Sequence, residues 1–239
     1  MKCKRALSPS GLPGIDYALN PYGGCEHGCV YCYGPEVTHT DFREWRIVRV
    51  RSNIAERLAK EAVNIDGTVG IGTVTDPYQY AEKRFKLSCQ CLEVLRSAGL
   101  RIHIHTKSDL VLRDLDIIAG MKGEVGMTVT TLDDKISHIT EPGAPLPARR
   151  LDALEKLTDA GVDTYALVGP VLMFLEGKEE RFVDAIASTG TGRMCIDRLN
   201  MRPELSARMD RMGITGSIAA LEKIRRLAED AGIKVTDVF

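Results

Sequence analysis

The spacing of apolar residues along this chain changes at regular intervals. Short runs of alternating or continuous apolar character lie at Ile15–Asn20, Thr68–Val74, Arg101–Thr106, Glu124–Thr130, Thr164–Val168 and Arg193–Leu199, and predict strands. Between them apolar residues recur every three or four positions. That spacing predicts helices over Asn53–Val63, Ala81–Ala98, Leu110–Met121, Ala148–Ala160, Lys178–Ser188 and Ser217–Ala231. Phe85, Cys89, Leu92 and Leu95 would share one helical face, as would Leu151, Leu154 and Leu157. Gly99, Gly161 and Gly232 each follow a predicted helix, where a left-handed residue ends the last turn. Strand and helix in strict alternation call for a parallel sheet covered by helices. An open doubly wound sheet and a barrel both satisfy that pattern, and six units are fewer than a closed eight-unit barrel needs.

Strand side chains alternate between two faces. In Arg101–Lys107 the isoleucines take one parity, and His103, His105 and Lys107 take the other. If the isoleucines pack under helices, the histidines and Lys107 face the interior. The same reasoning turns Met127 and Val129 outward and Thr128 and Thr130 inward. Gly70 and Gly72 leave interior space, and their parity carries Asp76 to the mouth. Met194 and Ile196 suit the helix-facing side, which turns Cys195 and Asp197 inward. The expected interior is a polar pocket, unlike the layered aliphatic filling of a purely structural barrel. A solvated strand-end lysine, hydrogen-bonded interior histidines and a small buried cysteine fit the same parity.

Composition narrows the field. The 239 residues are 44% hydrophobic, enough for one barrel-sized domain or two small ones, and a single domain spanning 1–239 is expected. A net charge of −1 gives no global attraction to nucleic acid or membrane. No apolar run approaches the ~18 residues of a membrane span, and no signal-peptide pattern follows the basic N-terminus. The cysteines read as those of a reducing, cytoplasmic protein rather than a disulfide framework. Cys89 and Cys91 are two apart on a predicted helix, on nearly opposite sides, and read as small core residues.

The remaining chemistry is concentrated in Cys25, Cys29 and Cys32, spaced C-x3-C-x2-C behind Asn20-Pro21-Tyr22-Gly23-Gly24. Three thiolates suit an iron–sulfur cubane with one iron left open for chemistry, because a purely electron-carrying cubane takes four. The competing reading is zinc with His27 as fourth ligand, but structural zinc loops usually draw two ligand pairs from separate segments. The spacing, with Tyr31 just before the last cysteine, resembles the radical S-adenosylmethionine superfamily. That resemblance implies a six-unit, half-closed (β/α)6 TIM-type barrel with the cluster loop after its first strand. It implies a 4Fe-4S cluster whose open iron holds S-adenosylmethionine and cleaves it reductively to a 5′-deoxyadenosyl radical. On that reading Lys107 would meet the methionyl carboxylate, and Thr128 and Thr130 the methionyl or ribose groups. An external flavodoxin- or ferredoxin-like protein would deliver the electron.

Further stretches are similar to the branch related to spore photoproduct lyase: Thr75-Asp76-Pro77-Tyr78-Gln79, Thr106-Lys107-Ser108, Arg113-Asp114, Thr130-Thr131-Leu132-Asp133, Glu141-Pro142-Gly143 and Arg149-Arg150-Leu151. The branch implies contacts to the cofactor from Lys107 and Thr128, and an active-site aromatic at Tyr33. Tyr33, Asp76, Tyr78, Glu141 and Cys195 become candidates for shaping the substrate side. The lyase's hydrogen-donating cysteine, near the end of its second strand, has no counterpart around Thr73, and an added DNA-gripping domain is not expected. A nucleic-acid-binding or repair protein is the alternative. Its support is the basic and aromatic segment Phe42–Arg51, extended by Arg149, Arg150, Arg202, Arg208 and Arg211.

Overall fold

Ile102 and Ile104, Val125 and Met127, and Ala166 and Val168 are buried at alternate positions of successive strands, and this shared apolar face assembles one sheet. The computed structural model describes residues 1–237. The first third holds β1 (Leu7–Pro9), β2 (Tyr17–Leu19), β3 (Tyr22–Gly23), α1 (Gly34–Val37), α2 (Phe42–Trp45), β4 (Arg49–Val50), α3 (Ile54–Glu61) and β5 (Thr68–Ile71). The middle holds α4 (Tyr80–Phe85), α5 (Leu87–Ser97), β6 (Arg101–Thr106), α6 (Leu115–Ile118), β7 (Gly123–Thr128), α7 (Asp134–Thr140), α8 (Pro147–Asp159) and β8 (Asp163–Val168). The last part holds α9 (Glu179–Ala187), β9 (Arg193–Ile196), α10 (Pro203–Met212), α11 (Ile218–Asp230) and β10 (Lys234–Asp237).

The main sheet runs β1-β2-β5-β6-β7-β8-β9-β10. β1 is antiparallel to β2, and every other neighbouring pair is parallel. Among the described residues β1 and β10 do not pair, so this is an α/β fold with an open, mostly parallel sheet. All six strands expected from the pattern are present. The two edge strands and the β3–β4 ribbon are additions. The main core lies between the sheet and α3, α5, α8, α9 and α11.

Two expectations about helices need correction. The helix expected over Ala81–Ala98 is two helices, because Lys86 adopts a left-handed conformation (φ 50°). The break lets the buried Glu82 carboxylate accept from the Ser88 N–H (3.0 Å) at the start of α5, where helix N–H groups lack partners. Phe85 is therefore not on a face with Leu92 and Leu95; Leu87 and Cys91 are buried with them, and Cys89 is half-buried. Leu110–Met121 is a 3-10 turn followed by the short α6.

The three cap glycines behave as expected, with φ of +68°, +78° and +79°. In each, the glycine N–H and the N–H of the next residue reach back to close the final turn: Gly99 to Arg96 and Leu100 to Leu95, Gly161 to Thr158 and Val162 to Leu157, Gly232 to Glu229 and Ile233 to Ala228. The chain thereby re-enters the sheet the same way at β6, β8 and β10.

Candidate functional site

The loop carrying Cys25, Cys29 and Cys32 has few backbone partners of its own, and four distant segments supply them. The Cys25 N–H donates to the Trp45 carbonyl (2.8 Å), and the Val30 N–H to that of Thr140 (2.8 Å). Gln79, fully buried, accepts from the Glu26 N–H (2.8 Å) and donates to the Gly24 carbonyl (3.1 Å). Gly143 donates to the His27 carbonyl, and a Cβ there would lie 2.1 Å from the Glu26 oxygen, so only glycine fits. From α10, Arg208 donates to the Val30 carbonyl (2.5 Å) and the Cys32 carbonyl (2.6 Å). A second apolar cluster, Cys29, Val30, Tyr31, Leu172, Leu205, Met209 and Ile214, packs α10 onto the loop.

One cavity of about 450 Å³ runs from this loop along the inner face of the sheet. Cys25, Cys29, Cys32, Tyr31, Tyr33, Asp76, Lys107, Thr128 and Cys195 all line it. Burial pushes the Cys25 thiol up to about 12 and raises Cys29 and Cys32 as well, against a smaller lowering of Cys32 by the Gly34 N–H and Lys107. A buried thiol becomes a thiolate when a metal replaces its proton. Three soft sulfurs fit an iron–sulfur cluster. Among the described residues no three His, Cys, Asp or Glu side chains converge on a single ion. His27 instead turns to Asp76, with Nδ1 3.4 Å from Oδ2, which speaks against it as a fourth ligand.

Lys107 points into the cavity, its Nζ 5.6 Å from the centre of the Tyr31 ring. Burial works against its charge, but Cys29 and Glu141 outweigh burial and hold the ammonium above its ordinary value. His105 Nε2 meets the Thr128 hydroxyl at 2.9 Å. Burial, then Lys107, lowers His105 to about 3, so its imidazole is neutral. Asp76 spends its carboxylate on structure. Oδ1 accepts from the Tyr78 N–H (2.8 Å) and the Thr106 hydroxyl (2.7 Å), and Oδ2 from the Lys107 N–H (2.8 Å). Asp76 thus fixes the end of β6 from which Lys107 projects.

Thr130 and Glu141 stand one layer behind the cavity. The Glu141 carboxylate accepts from the Tyr31 hydroxyl and from Thr130 (3.0 Å), and faces Arg150 Nη1 at 2.5 Å. Burial alone would lift Glu141, but Arg150 and then Lys107 reverse it, and the net shift is downward. Tyr78 lies outside the cavity lining; its hydroxyl donates to Asp114 (3.1 Å) in a buried network with Arg113 and Glu82. Glu141 and Tyr78 are therefore placed to position other groups rather than to meet a substrate.

The pattern along the chain left several site residues unidentified. Glu124 accepts from Arg193 (2.7 Å) and pairs with His103 (2.8 Å), whose other nitrogen meets the Tyr165 hydroxyl (2.9 Å) at the far end of the cavity. Hydrogen bonding from His103, and then from Arg193, holds Glu124 down at about 2. Inward parity, extended back from Gly126 and Thr128, includes Glu124. Gly126 makes room for Tyr165, whose ring would lie 2.1 Å from an added Cβ. Three of the nine arginines assigned to a basic patch are committed to partners, while Arg43, Arg46 and Arg49 stay exposed. Arg150 is fully buried, Arg208 is clamped on the loop and stacked on Phe42 (3.9 Å), and Arg149 pairs with Asp109. Trp45 is buried rather than presented for stacking.

The site is thus a parallel sheet whose strand ends hold a lysine and hydroxyls beside a three-cysteine loop. The chain belongs to the radical SAM superfamily, whose family model matches residues 19–189. It is 32% identical over 175 residues to an uncharacterized protein of Methanocaldococcus jannaschii, covering 72% of this chain and 66% of that one. It is also 32% identical over 220 residues to an uncharacterized protein of Mycobacterium bovis, covering 84% and 64% respectively. The chain thus spans just under two thirds of the length of these relatives. In fold it resembles spore photoproduct lyase complexed with dinucleoside spore photoproduct, with a TM-score of 0.70 at 16% identity, covering 99% of this chain and 79% of the lyase. It also resembles Streptococcus suis SuiB bound to S-adenosylmethionine, with a TM-score of 0.62 at 14% identity, covering 92% and 49%. No helix among the described residues is long and apolar enough to cross a membrane.

Proposed function

We propose that this chain is a radical SAM enzyme acting on a substrate that enters the cavity beside Tyr33. The observation carrying this reading is that the three cysteines, Lys107 and Thr128 line one cavity. In the proposed arrangement Cys25, Cys29 and Cys32 hold a 4Fe-4S cluster, and the sheet is the half-closed barrel that surrounds it. When bound, the cluster and S-adenosylmethionine supply a 5′-deoxyadenosyl radical, made with one electron from a flavodoxin- or ferredoxin-like donor, that takes a hydrogen atom from the substrate. Lys107 pairs with the carboxylate of the methionyl group, where its raised pKa keeps it charged. The Thr128 hydroxyl, oriented by neutral His105, bonds the same molecule. Tyr31, held by Glu141, sets its ring against the Lys107 ammonium. Cys195 faces the cavity with its sulfur 3.3 Å from the Thr236 hydroxyl, and is the thiol available to exchange a hydrogen atom with a substrate radical.

A nucleotide substrate is the second reading. It is favoured by the Tyr33 ring at the rim, 38% exposed with the Arg202 guanidinium 5.6 Å from its centre, a pairing suited to a base. The likeness in fold to a lyase holding a dinucleoside points the same way. The experiment is anaerobic reconstitution followed by dithionite and S-adenosylmethionine. Formation of 5′-deoxyadenosine, absent in Cys29→Ala, supports the enzyme. No product above that control would sink it. Deuterium appearing in 5′-deoxyadenosine from labelled oligonucleotide, but not from labelled metabolite extract, would select the nucleotide substrate.

A further inference from the structure

Trp45 is the single tryptophan of the chain, and its indole is only 3% exposed. Its Nε1 is one of two buried side-chain polar atoms left without a hydrogen-bond partner among the described residues. An indole N–H can only donate, and a buried donor without an acceptor loses its hydration with nothing in return. A solvent-facing rotamer is not what the packing selects. The indole is pressed against the cluster loop at Gly34, where an added Cβ would lie 2.7 Å from Trp45 Cζ2 and 3.2 Å from both Trp45 Cε2 and Cys32 Sγ. Gly34 is therefore the point where the nitrogen-bearing edge of the ring and the Cys32 sulfur come together, and any larger residue would part them. The Trp45 carbonyl meanwhile holds the Cys25 N–H. The α2 segment thus grips the loop by its backbone and turns a spare donor toward its third sulfur.

A neutral thiol is a poor acceptor, and an iron-bound thiolate is a much better one because the hydrogen bond is charge-assisted. We propose that Trp45 Nε1–H donates a hydrogen bond to the metal-bound sulfur of Cys32 and so raises the reduction potential of the centre. The inference rests on the cluster assignment above and extends it to a residue outside the ligand set. Its direction follows from charge. The added electron makes the sulfurs more negative, the hydrogen bond strengthens in the reduced state, and reduction becomes easier. Trp45 touches neither substrate nor S-adenosylmethionine in this scheme. It is a positioning and tuning residue.

The test needs no turnover. Trp45→Phe keeps an aromatic ring and removes the donor. Replacing the lone tryptophan biosynthetically with 3-benzothienylalanine keeps the bicyclic shape and replaces N–H with sulfur, which covers the case in which Trp45→Phe fails to fold. Iron and sulfide are assayed first, then the midpoint potential is measured by anaerobic titration. Both forms should be about tenfold harder to reduce than wild type at a fixed potential, which is about 59 mV more negative for one electron. In the unsubstituted protein, the resonance Raman band of the indole N–H should move to its hydrogen-bonded position on reconstitution. A loaded centre with an unmoved potential, or an N–H band identical before and after loading, overturns this proposal alone. Failure of the wild-type chain to take up iron and sulfide overturns the cluster assignment with it.

Discussion

Arg150 and Glu141 form an ion pair with both side chains fully buried, and deleting one member leaves the other without a counter-ion. Breaking such a pair is destabilising by about 3–5 kcal/mol. Arg150→Met also strips donors from the Pro145 carbonyl (2.7 Å) and the Ser137 hydroxyl (3.3 Å), so the upper part of that range applies. For a chain of 239 residues, about 2 °C of melting temperature corresponds to each kcal/mol. Arg150→Met should therefore melt about 8–10 °C lower. In the double variant Arg150→Met/Glu141→Gln neither member of the pair is left charged, and the glutamine carbonyl can still accept from Tyr31 and Thr130. It should recover more than half of the loss. The assay is anaerobic thermal unfolding followed by circular dichroism, at matched iron content. A fall of less than about 2 °C for Arg150→Met, or a double variant no more stable than that single one, would refute the argument that the charge pair holds Tyr31 in place.

Three further outcomes are expected. Lys107→Ala should weaken S-adenosylmethionine binding by about 10- to 100-fold, the worth of one charged hydrogen bond, with cluster content unchanged; equilibrium dialysis reads this, and an unaltered Kd would remove Lys107 from the cofactor site. His105 has its folded pKa pushed below the ordinary imidazole value, so the unfolded chain binds a proton that the folded chain refuses. Its part of the stability is complete above about pH 6.5 and falls as pH drops toward 3, reaching a loss of about 2 kcal/mol at pH 5. Burial moves His27 the same way, so the acid loss should be shallower in His105→Asn but not abolished; a stability flat from pH 7 to 5 in the parent would contradict both shifts. Gly143→Ala forces its Cβ against the Glu26 carbonyl and should speed loss of the visible cluster absorbance on exposure to chelator, with an unchanged rate counting against the loop-clamping role.

The parity of β6, β7 and β9 put Lys107, Thr128 and Cys195 at the cavity because strand alternation is a local rule that tertiary contacts do not override. Edge strands escaped the same reasoning. β1 and β10 are three and four residues long and mostly exposed, so they carry no apolar run to count. The break at Lys86 has no glycine or proline to announce it. Its reason is the buried Glu82, which must serve Tyr22, Arg113 and the start of α5 together. Tyr78 and Glu141 sit in stretches that match the branch, yet their partners, Asp114 and Arg150, turn them away from the cavity. Charge along Phe42–Arg51 suggested a surface, but burial of Trp45 and the stacking of Arg208 on Phe42 make its aromatic residues part of the wall behind the cysteines.

Arg208 reaches the Cys32 carbonyl across 176 residues of chain. A ribosome adding about 5–20 residues per second takes about 9–35 s to make that stretch. The three sulfurs are thus synthesised early and roofed over late, and during that interval the nascent loop is open on the side that α10 will cover. Metal delivered in this window meets accessible thiols. Metal arriving later has only the cavity by which to reach them.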